Sequence, residues 1–550
     1  MVTSLVKKSL ATFASKQTNI FSAAFFIILT TILSQVLGLL KYRLLVSFFG
    51  ASSDLGVFFA AFRIPDFIFQ VIVAGALTSS FIPIFSEYLG KDKKEEAFSF
   101  TSSLTIMGVL LYVVVTAIII LFAYPLAQIL APGFSPSELL LMSRLMIIIQ
   151  LAQLFFILGT IITAVLQSFQ HFLIPGIATA CYNLGIIIGL IVFTGFFGFG
   201  IIGATIGVLI GSLLFFLVQI PLLFSTGFSF TPKIILEDGV RKLFNLMLPR
   251  SFALIIGQIA VTANVFFASF VSARGLVVFE LAQTLVMAPV LLFGQSIAQA
   301  SFPSLSLKTA NKKEFVAIFT SSFTQTLYLI LPISALFIVL RVPLVRLFFG
   351  ASRFTWDATV DTGLTLAYFS VSMGAQALMY LVARAFYAYQ DAKTPFIVTL
   401  ITVTLHILLS YIFILVYQLP IYFLAIAFSI STIVSVVIMM AILDRKINLP
   451  KFEIMVTLIK ILIASIVMGI CIYIPIKLLD QLVFDTTRTI NLFFLTGVAS
   501  SVGFVAYLFL TWLLDIKEAY YVLAVARKFG DKTNILRQLK EPIDGSKFNP

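Results

Sequence analysis

Apolar residues fall along this chain in long unbroken runs, not in the alternating or one-sided patterns of strands and surface helices. Fourteen such runs are centred near residues 35, 70, 110, 152, 185, 212, 257, 291, 327, 372, 406, 431, 465 and 502, separated by short polar segments. Each is of the order of the ~20 residues that cross roughly 30 Å of hydrocarbon. Backbone groups in hydrocarbon must be satisfied within their own segment, so the runs predict helices. The weak alternation of a membrane barrel is absent. The pattern predicts an all-α polytopic membrane protein of about 14 transmembrane helices.

The polar breaks repeat. Leu166–Pro175 and Phe386–Pro395 are both short polar turns closed by proline between apolar runs, offset by 220 residues. Pro83 and Ser86 return at the same spacing as Pro303 and Ser306. Pro125 and Pro343 are offset by 218, whereas Phe134 and Phe354 are back at 220. Two tandem copies of one membrane unit follow, and such repeats usually mark a transporter that alternates access. The implied layout is a cytoplasmic segment 1–20, a six-helix lobe 21–225, a second lobe 226–445, an extra helix pair 446–515 and a basic cytoplasmic tail 516–550.

Composition agrees. The chain is 60% hydrophobic and only 11% charged, with 59 Phe, more apolar surface than a soluble fold can bury. Lys7, Lys8 and Lys16 precede a run too long for a signal core. The two cysteines, Cys181 and Cys471, fall inside predicted spans and read as packing residues.

Charge sets the orientation. With the N-terminus in the cytoplasm, the inner segments carry 23 Lys and Arg and the outer segments 6. Both termini are therefore expected inside, and the net charge of +13 faces anionic lipid headgroups; nucleic acid is not implied. Seven cations remain within or at the edges of spans: Lys41, Arg43, Arg63, Arg144, Arg250, Arg384 and Lys460. A charge at the bilayer centre costs about 2.5–3.5 kcal/mol, so such residues are functional candidates, although Arg384, Lys41 and Arg43 could snorkel. Lys41, Arg43 and Arg63 cluster in the first two runs and Arg250 opens the second copy, whereas Asp66 and Glu280 are the clear acids within spans. A cavity between the halves would be net positive and suited to a phosphate-bearing headgroup.

No enzyme is apparent. Asp92, Glu95 and Glu96 sit among Lys91, Lys93 and Lys94 and read as a solvated helix start, not a Mg²⁺ site. His171 and His406 make no metal pair, and no nucleotide-binding loop is present, so neither catalytic residues, metal nor cofactor is expected.

Several segments resemble the MurJ/MviN family of the multidrug/oligosaccharidyl-lipid/polysaccharide exporter superfamily. They are Leu37–Lys41, Phe49–Ala51, Phe58–Asp66, Gly75–Leu77, Phe81–Pro83, Ala131–Phe134, the turn 166–175 with Asn183, Leu248–Arg250, Gln258 and, most specifically, Ala383–Pro395, with Arg384, Tyr387, Gln390, Asp391, Lys393, Thr394 and Pro395. The resemblance spans roughly residues 25–440. It implies two parallel six-helix lobes in a V around a central cavity, plus two C-terminal helices, here about 453–479 and 487–515, shaping a groove for a lipid tail. It also implies a bacterial plasma-membrane flippase carrying lipid II, a polyprenyl-diphosphate-linked glycopeptide, from the inner to the outer leaflet. Such a protein is expected to work as a monomer among membrane lipids, its direction set by membrane potential, an ion gradient or removal of product outside.

The chain departs from the family's cavity arginines. Gln35 and Lys41 stand at the first-helix positions, with Tyr42 where an aspartate often follows. Phe69 stands at the second-helix position, and Thr284, beside Gln283, at the eighth. Lys41, Arg43, Arg63 and Arg250 are thus the candidate headgroup cations, with Gln35, Asp66, Glu280, Gln283 and Thr284 as candidate polar lining. An ammonium does not reproduce the two-pronged grip of guanidinium on phosphate. The alternatives are a flippase for another polyprenyl-linked glycan, a drug/cation antiporter using Asp66 or Glu280, or a non-transporting scaffold acting through its basic tail.

Overall fold

A computed structural model describes the backbone of residues 20–71, 81–233, 238–479 and 489–520, with side chains described outside 20–25 and 238–254. Among these residues the chain is helical, without strands. The first copy contains α1 (Ile20–Phe49), α2 (Ser53–Ala61), α3 (Arg63–Phe69), α4 (Ile82–Gly90), α5 (Lys94–Leu121), α6 (Ala123–Leu130), α7 (Pro136–Ser168), α8 (Leu173–Ile188), α9 (Gly200–Leu217) and α10 (Ile220–Ser225). The second contains α11 (Asp238–Val271), α12 (Ala273–Pro289), α13 (Ser296–Leu307), α14 (Lys312–Val339), α15 (Arg341–Phe349), α16 (Trp356–Val371), α17 (Met373–Ala388), α18 (Lys393–Ser410) and α19 (Tyr422–Ile447). The last pair is α20 (Lys451–Leu479) and α21 (Thr489–Leu513).

Among the described residues eleven helices are long and apolar enough to cross a membrane, or twelve if the pair α16–α17, bent by 42°, is one span. The bend explains the run centred near 372. The run near 70 is broken between α2 and α3 and continues into residues 72–80, which lie outside the described ones along with the family-like segment Gly75–Leu77. The run near 257 lies in α11, of which Ile255–Val271 is apolar. Large apolar side chains such as Ile28, Val36, Val114 and Ile466 are exposed along the spans, as a hydrocarbon solvent allows.

Helix ends follow from local chemistry. At α7, Ser135 and Glu138 form a reciprocal capping box with Pro136 in the first turn. At α14 the Asn311 side chain accepts from the Glu314 N–H. The tandem repeat is visible in these ends: α7 and α17 stop at Ser168 and Ala388, and α8 and α18 start at Leu173 and Lys393. Gln170 and Gln390 both take positive φ, at 63° and 56°. Gly198 and Gln418 match in the same way after π-helical turns ending at Phe196 and Val416. The offset of 218 also holds for α5 and α14. It becomes 220 because α15 has one residue more than α6 and the connection after it is one longer.

The chain packs as two compact units, Met1–Gln283 with Val345–Thr365 and Thr399–Ser431, and Thr284–Leu344 with Leu366–Val398 and Thr432–Pro550. In the first, α8 lies along α1 and α9, and Phe81 stacks on Phe85 and Phe100 with ring centroids 5.4 Å apart. In the second, α20 packs on α21 and α14, where the buried Tyr507 hydroxyl donates to the Tyr328 carbonyl at 2.7 Å. The Lys460 ammonium closes this pair by donating to the Leu514 carbonyl at 2.7 Å.

The turn before α18 is held by Asp391. Its carboxylate accepts from the Thr394 N–H at 3.0 Å and the Thr394 hydroxyl at 2.8 Å, and pairs with Lys446. Partial burial pushes this carboxyl up, but the bonds from Lys446 and Thr394 outweigh burial and hold it at about 2. A depressed folded-state value means the ionised group adds stability above the unfolded aspartate value of about 3.9, which fades as pH falls through the folded value. Solvent screening limits the effect to about 1 kcal/mol. The melting-temperature gap between the wild type and Asp391→Asn is therefore expected to stay flat from about pH 8 to about pH 5 and to close below about pH 4. A gap that widens in acid would contradict this latch.

Candidate functional site

Ionisable residues inside the first unit converge on one cavity of about 460 Å³. The spacings are helical: Lys41, Tyr42 and Leu45 from α1, Arg63 and Asp66 from α3, Gln153 and Phe156 from α7, Tyr182 and Ile186 from α8, Gln258 and Val261 from α11, and Glu280 from α12. Phe69 and Gln70, next after Asp66, line it as well. Both sequence copies thus contribute.

Arg63 is ion-paired with Glu280, 217 residues later in the chain. The side chains are 17% and 13% exposed, so water screens the pair little. The Asp66 carboxylate accepts from the Gln153 side-chain amide at 2.8 Å; it does not cap α3. Lys41 is held differently, its ammonium 4.7 Å from the Tyr42 ring centroid. Aromatic rings build the walls: Phe156 stacks on Phe215 at 4.5 Å and meets Phe69 at 5.2 Å and Tyr182 at 5.1 Å.

Lys41, Arg63, Asp66 and Glu280 are thus brought together, and one expectation is corrected. Among the described residues the lining holds two cations and two carboxylates and is formally balanced. Arg43 is not in the lining: it donates to the Leu347 carbonyl at 2.7 Å, because a residue two positions from Lys41 is turned about 200° around the helix. Gln35, which is exposed, and Gln283 and Thr284 are also absent from the lining. The side chain of Arg250 lies outside the described residues, as does the tail from 521 on. Arg384 is half-buried with its guanidinium 5.9 Å from the Phe302 ring centroid. Tyr387 lies in the last turn of α17, Gln390 and Asp391 form the turn described above, and Lys393, Thr394 and Pro395 open α18; none of them is among the cavity's lining residues.

Gln70, Gln153 and Tyr182 were missed as lining. Gln150 and Gln153, three apart in an otherwise apolar span, were a readable signal, because polar groups in hydrocarbon need a reason. Among the described residues no group of His, Cys, Asp and Glu could hold a metal ion. His406 instead meets Asn264 at 2.7 Å.

A helical polytopic membrane protein whose spans enclose an ionised, aromatic-walled cavity is built as a membrane transporter. The chain belongs to the family described as Lipid II flippase MurJ, which it matches over residues 45–515. A probable lipid II flippase MurJ of Buchnera aphidicola subsp. Baizongia pistaciae is 26% identical, with 92% of this chain and 99% of the relative covered. One from Buchnera aphidicola subsp. Schizaphis graminum is 28% identical over 73% of this chain and 79% of its own. A solved lipid II flippase MurJ in an inward closed conformation superposes with a TM-score of 0.74 at 25% identity, covering 89% of this chain and 98% of that one. A multidrug resistance transporter of the MATE family reaches 0.64 at 16% identity over 76% and 94% of the two chains, a likeness of fold.

Proposed function

We propose that this protein is a lipid II flippase of a bacterial plasma membrane. It would carry the polyprenyl-diphosphate-linked glycopeptide from the inner to the outer leaflet, with both termini in the cytoplasm. The observation that carries the reading is the family match over residues 45–515, joined to a cavity holding Lys41 and Arg63. The diphosphate meets Lys41 and competes with Glu280 for Arg63, and the aromatic walls and the amides of Gln153 and Gln258 face the sugars. Because Arg63 is already neutralised, the headgroup exchanges one carboxylate partner for a phosphate and need not bring a charge into an uncompensated site. The prenyl tail stays in lipid.

Alternating access then moves the headgroup without covalent chemistry, so the protein acts as a monomeric carrier and not as an enzyme, and needs no cofactor. Membrane potential or an ion gradient supplies the direction, with Asp66 and Glu280 the carboxylates placed to feel it.

The test is rescue of a flippase-depleted bacterium with leaflet-resolved measurement of lipid II. Wild type is expected to restore growth and outer-leaflet lipid II. Lys41→Ala is expected to cut transport about tenfold, as loss of about 1.4 kcal/mol of headgroup binding does. Arg43→Ala, outside the cavity, should transport near the wild-type rate. Equal effects of the two variants would remove the cavity from the mechanism, and failure of wild type to rescue would remove lipid II.

A further inference from the structure

A second groove in the first unit shares no lining residue with the charged cavity. It encloses about 510 Å³ between α5, α7 and α10 and the segment after α10, with Ile106, Val109, Ile162, Leu223, Phe228 and Phe230 among its walls. That volume lies within the roughly 300–1,000 Å³ of ordinary ligand pockets. Two of its lining residues carry hydroxyls, and both are spent within α5: Thr101 donates to the Ala97 carbonyl at 2.8 Å and Thr105 to the Thr101 carbonyl at 2.7 Å. The interior offers nothing to a polar ligand and suits hydrocarbon.

The segment after α10 that walls the groove carries the charge. The Lys94 ammonium donates to the Thr226 carbonyl at 2.9 Å and lies 5.6 Å from the Phe98 ring centroid, and Phe98 meets Phe228 edge-on at 5.0 Å. Past Phe230 the chain is tied to α5 by two bonds: the Thr231 N–H donates to the Ser102 hydroxyl at 3.1 Å, and the Ser103 hydroxyl donates to the Lys233 carbonyl at 3.2 Å. Lys94 and Lys233 therefore flank the segment that walls the groove, both exposed. Of the other charges on the first turn of α5 and just before it, Lys91 pairs with Glu87 and Lys93 with Glu96, and Asp92 and Glu95 are exposed.

We propose that this groove binds an anionic diacyl phospholipid, with one acyl chain along the apolar walls and the phosphate between Lys94 and Lys233. An apolar trough whose wall segment carries a cation at each end, Lys94 at Thr226 and Lys233 at Ser103, offers hydrocarbon and positive charge together, and basic residues at the membrane surface favour an anionic headgroup. The site is independent of the transport reading.

The test is native mass spectrometry of the full chain in detergent, titrated with phosphatidylglycerol or with phosphatidylcholine bearing the same palmitoyl and oleoyl chains. Phosphatidylglycerol is expected to be retained with at least about fivefold preference, and Lys94→Gln and Lys233→Gln should each lower its retention about fivefold. Ile162→Trp, which fills the groove, should lower retention of both lipids. Equal retention of the two lipids, or indifference to the lysine and groove variants, would mean surrounding lipid only and would overturn the proposal. Displacement of phosphatidylglycerol by an equimolar polyprenyl phosphate would assign the groove to a prenyl tail and overturn it also. Lys233, exposed on a connecting segment, keeps the test decisive if Lys94→Gln does not fold.

Discussion

Replacing Arg63 with alanine is expected to abolish rescue of a flippase-depleted cell and to lower the yield of folded protein. Two separate losses are involved. The variant leaves Glu280, 13% exposed, without its guanidinium and leaves Asp66 beside it in the same cavity. Breaking a pair of this kind from one side costs about 3–5 kcal/mol when fully buried, and somewhat less here because the cavity admits water. The second loss is the flat, two-pronged donor that a diphosphate needs, which Lys41 does not replace. The double variant Arg63→Ala/Glu280→Ala separates them. Removing both charges should restore melting temperature and yield toward wild type, while outer-leaflet lipid II stays absent. Exchanging the residues, Arg63→Glu with Glu280→Arg, should likewise restore the fold more than the transport. If Arg63→Ala supported growth like wild type, the pair would be scaffolding and the headgroup would bind elsewhere. If the double variant transported normally, Arg63 would have no role beyond neutralising Glu280.

That ion pair marks the limit of what the sequence discloses. Arg63, Asp66, Glu280 and Lys41 stood out because hydrocarbon makes charged residues rare, so each survivor needs a reason. Which acid meets which base was not readable, since Arg63 and Glu280 are joined only by the packing of helices 217 residues apart. The charge of the cavity is unreadable for the same reason: it is set by the few ionisable residues that share one wall, not by the total along the spans. Spans were legible because backbone desolvation demands long runs. The 42° bend between α16 and α17 was not, because hydropathy sums over a window and is blind to direction. Ala383–Pro395, the most distinctive stretch, spans the end of α17, a four-residue turn and the start of α18. The turn within it is constrained by a positive φ at Gln390 and by the bonds converging on Asp391.

A larger effect on folding is expected at Gly207. Gly203, Gly207 and Gly211 recur every four residues on α9 and form one stripe along it, a spacing readable in the sequence and known for close helix approach in membranes. Across from them α8 presents Tyr182, Gly185 and Ile186, and Gly189 opens the π-helical turn that follows it. A Cβ on Gly207 would lie 2.9 Å from the Cα atoms of Gly189 and Ile186 and from the Ile186 carbonyl oxygen. These are backbone atoms, which no rotamer change can move aside. Overpacking typically costs about 1–3 kcal/mol where side chains can yield, and a rigid helix face puts Gly207→Leu at or beyond the top of that range. Gly207→Ala should cost less, but still measurably. Gly108, on α5 with open space around it, is the control: Gly108→Ala should be neutral or slightly stabilising, as helix propensity predicts. The consequence reaches the site, because Tyr182 and Ile186 line the charged cavity from the helix that Gly207 holds close. A partly tolerated variant should thus lose transport before it loses its fold. Thermal unfolding in detergent, read beside lipid II transport, checks both, and wild-type melting for Gly207→Leu would show that α8 and α9 do not pack this closely.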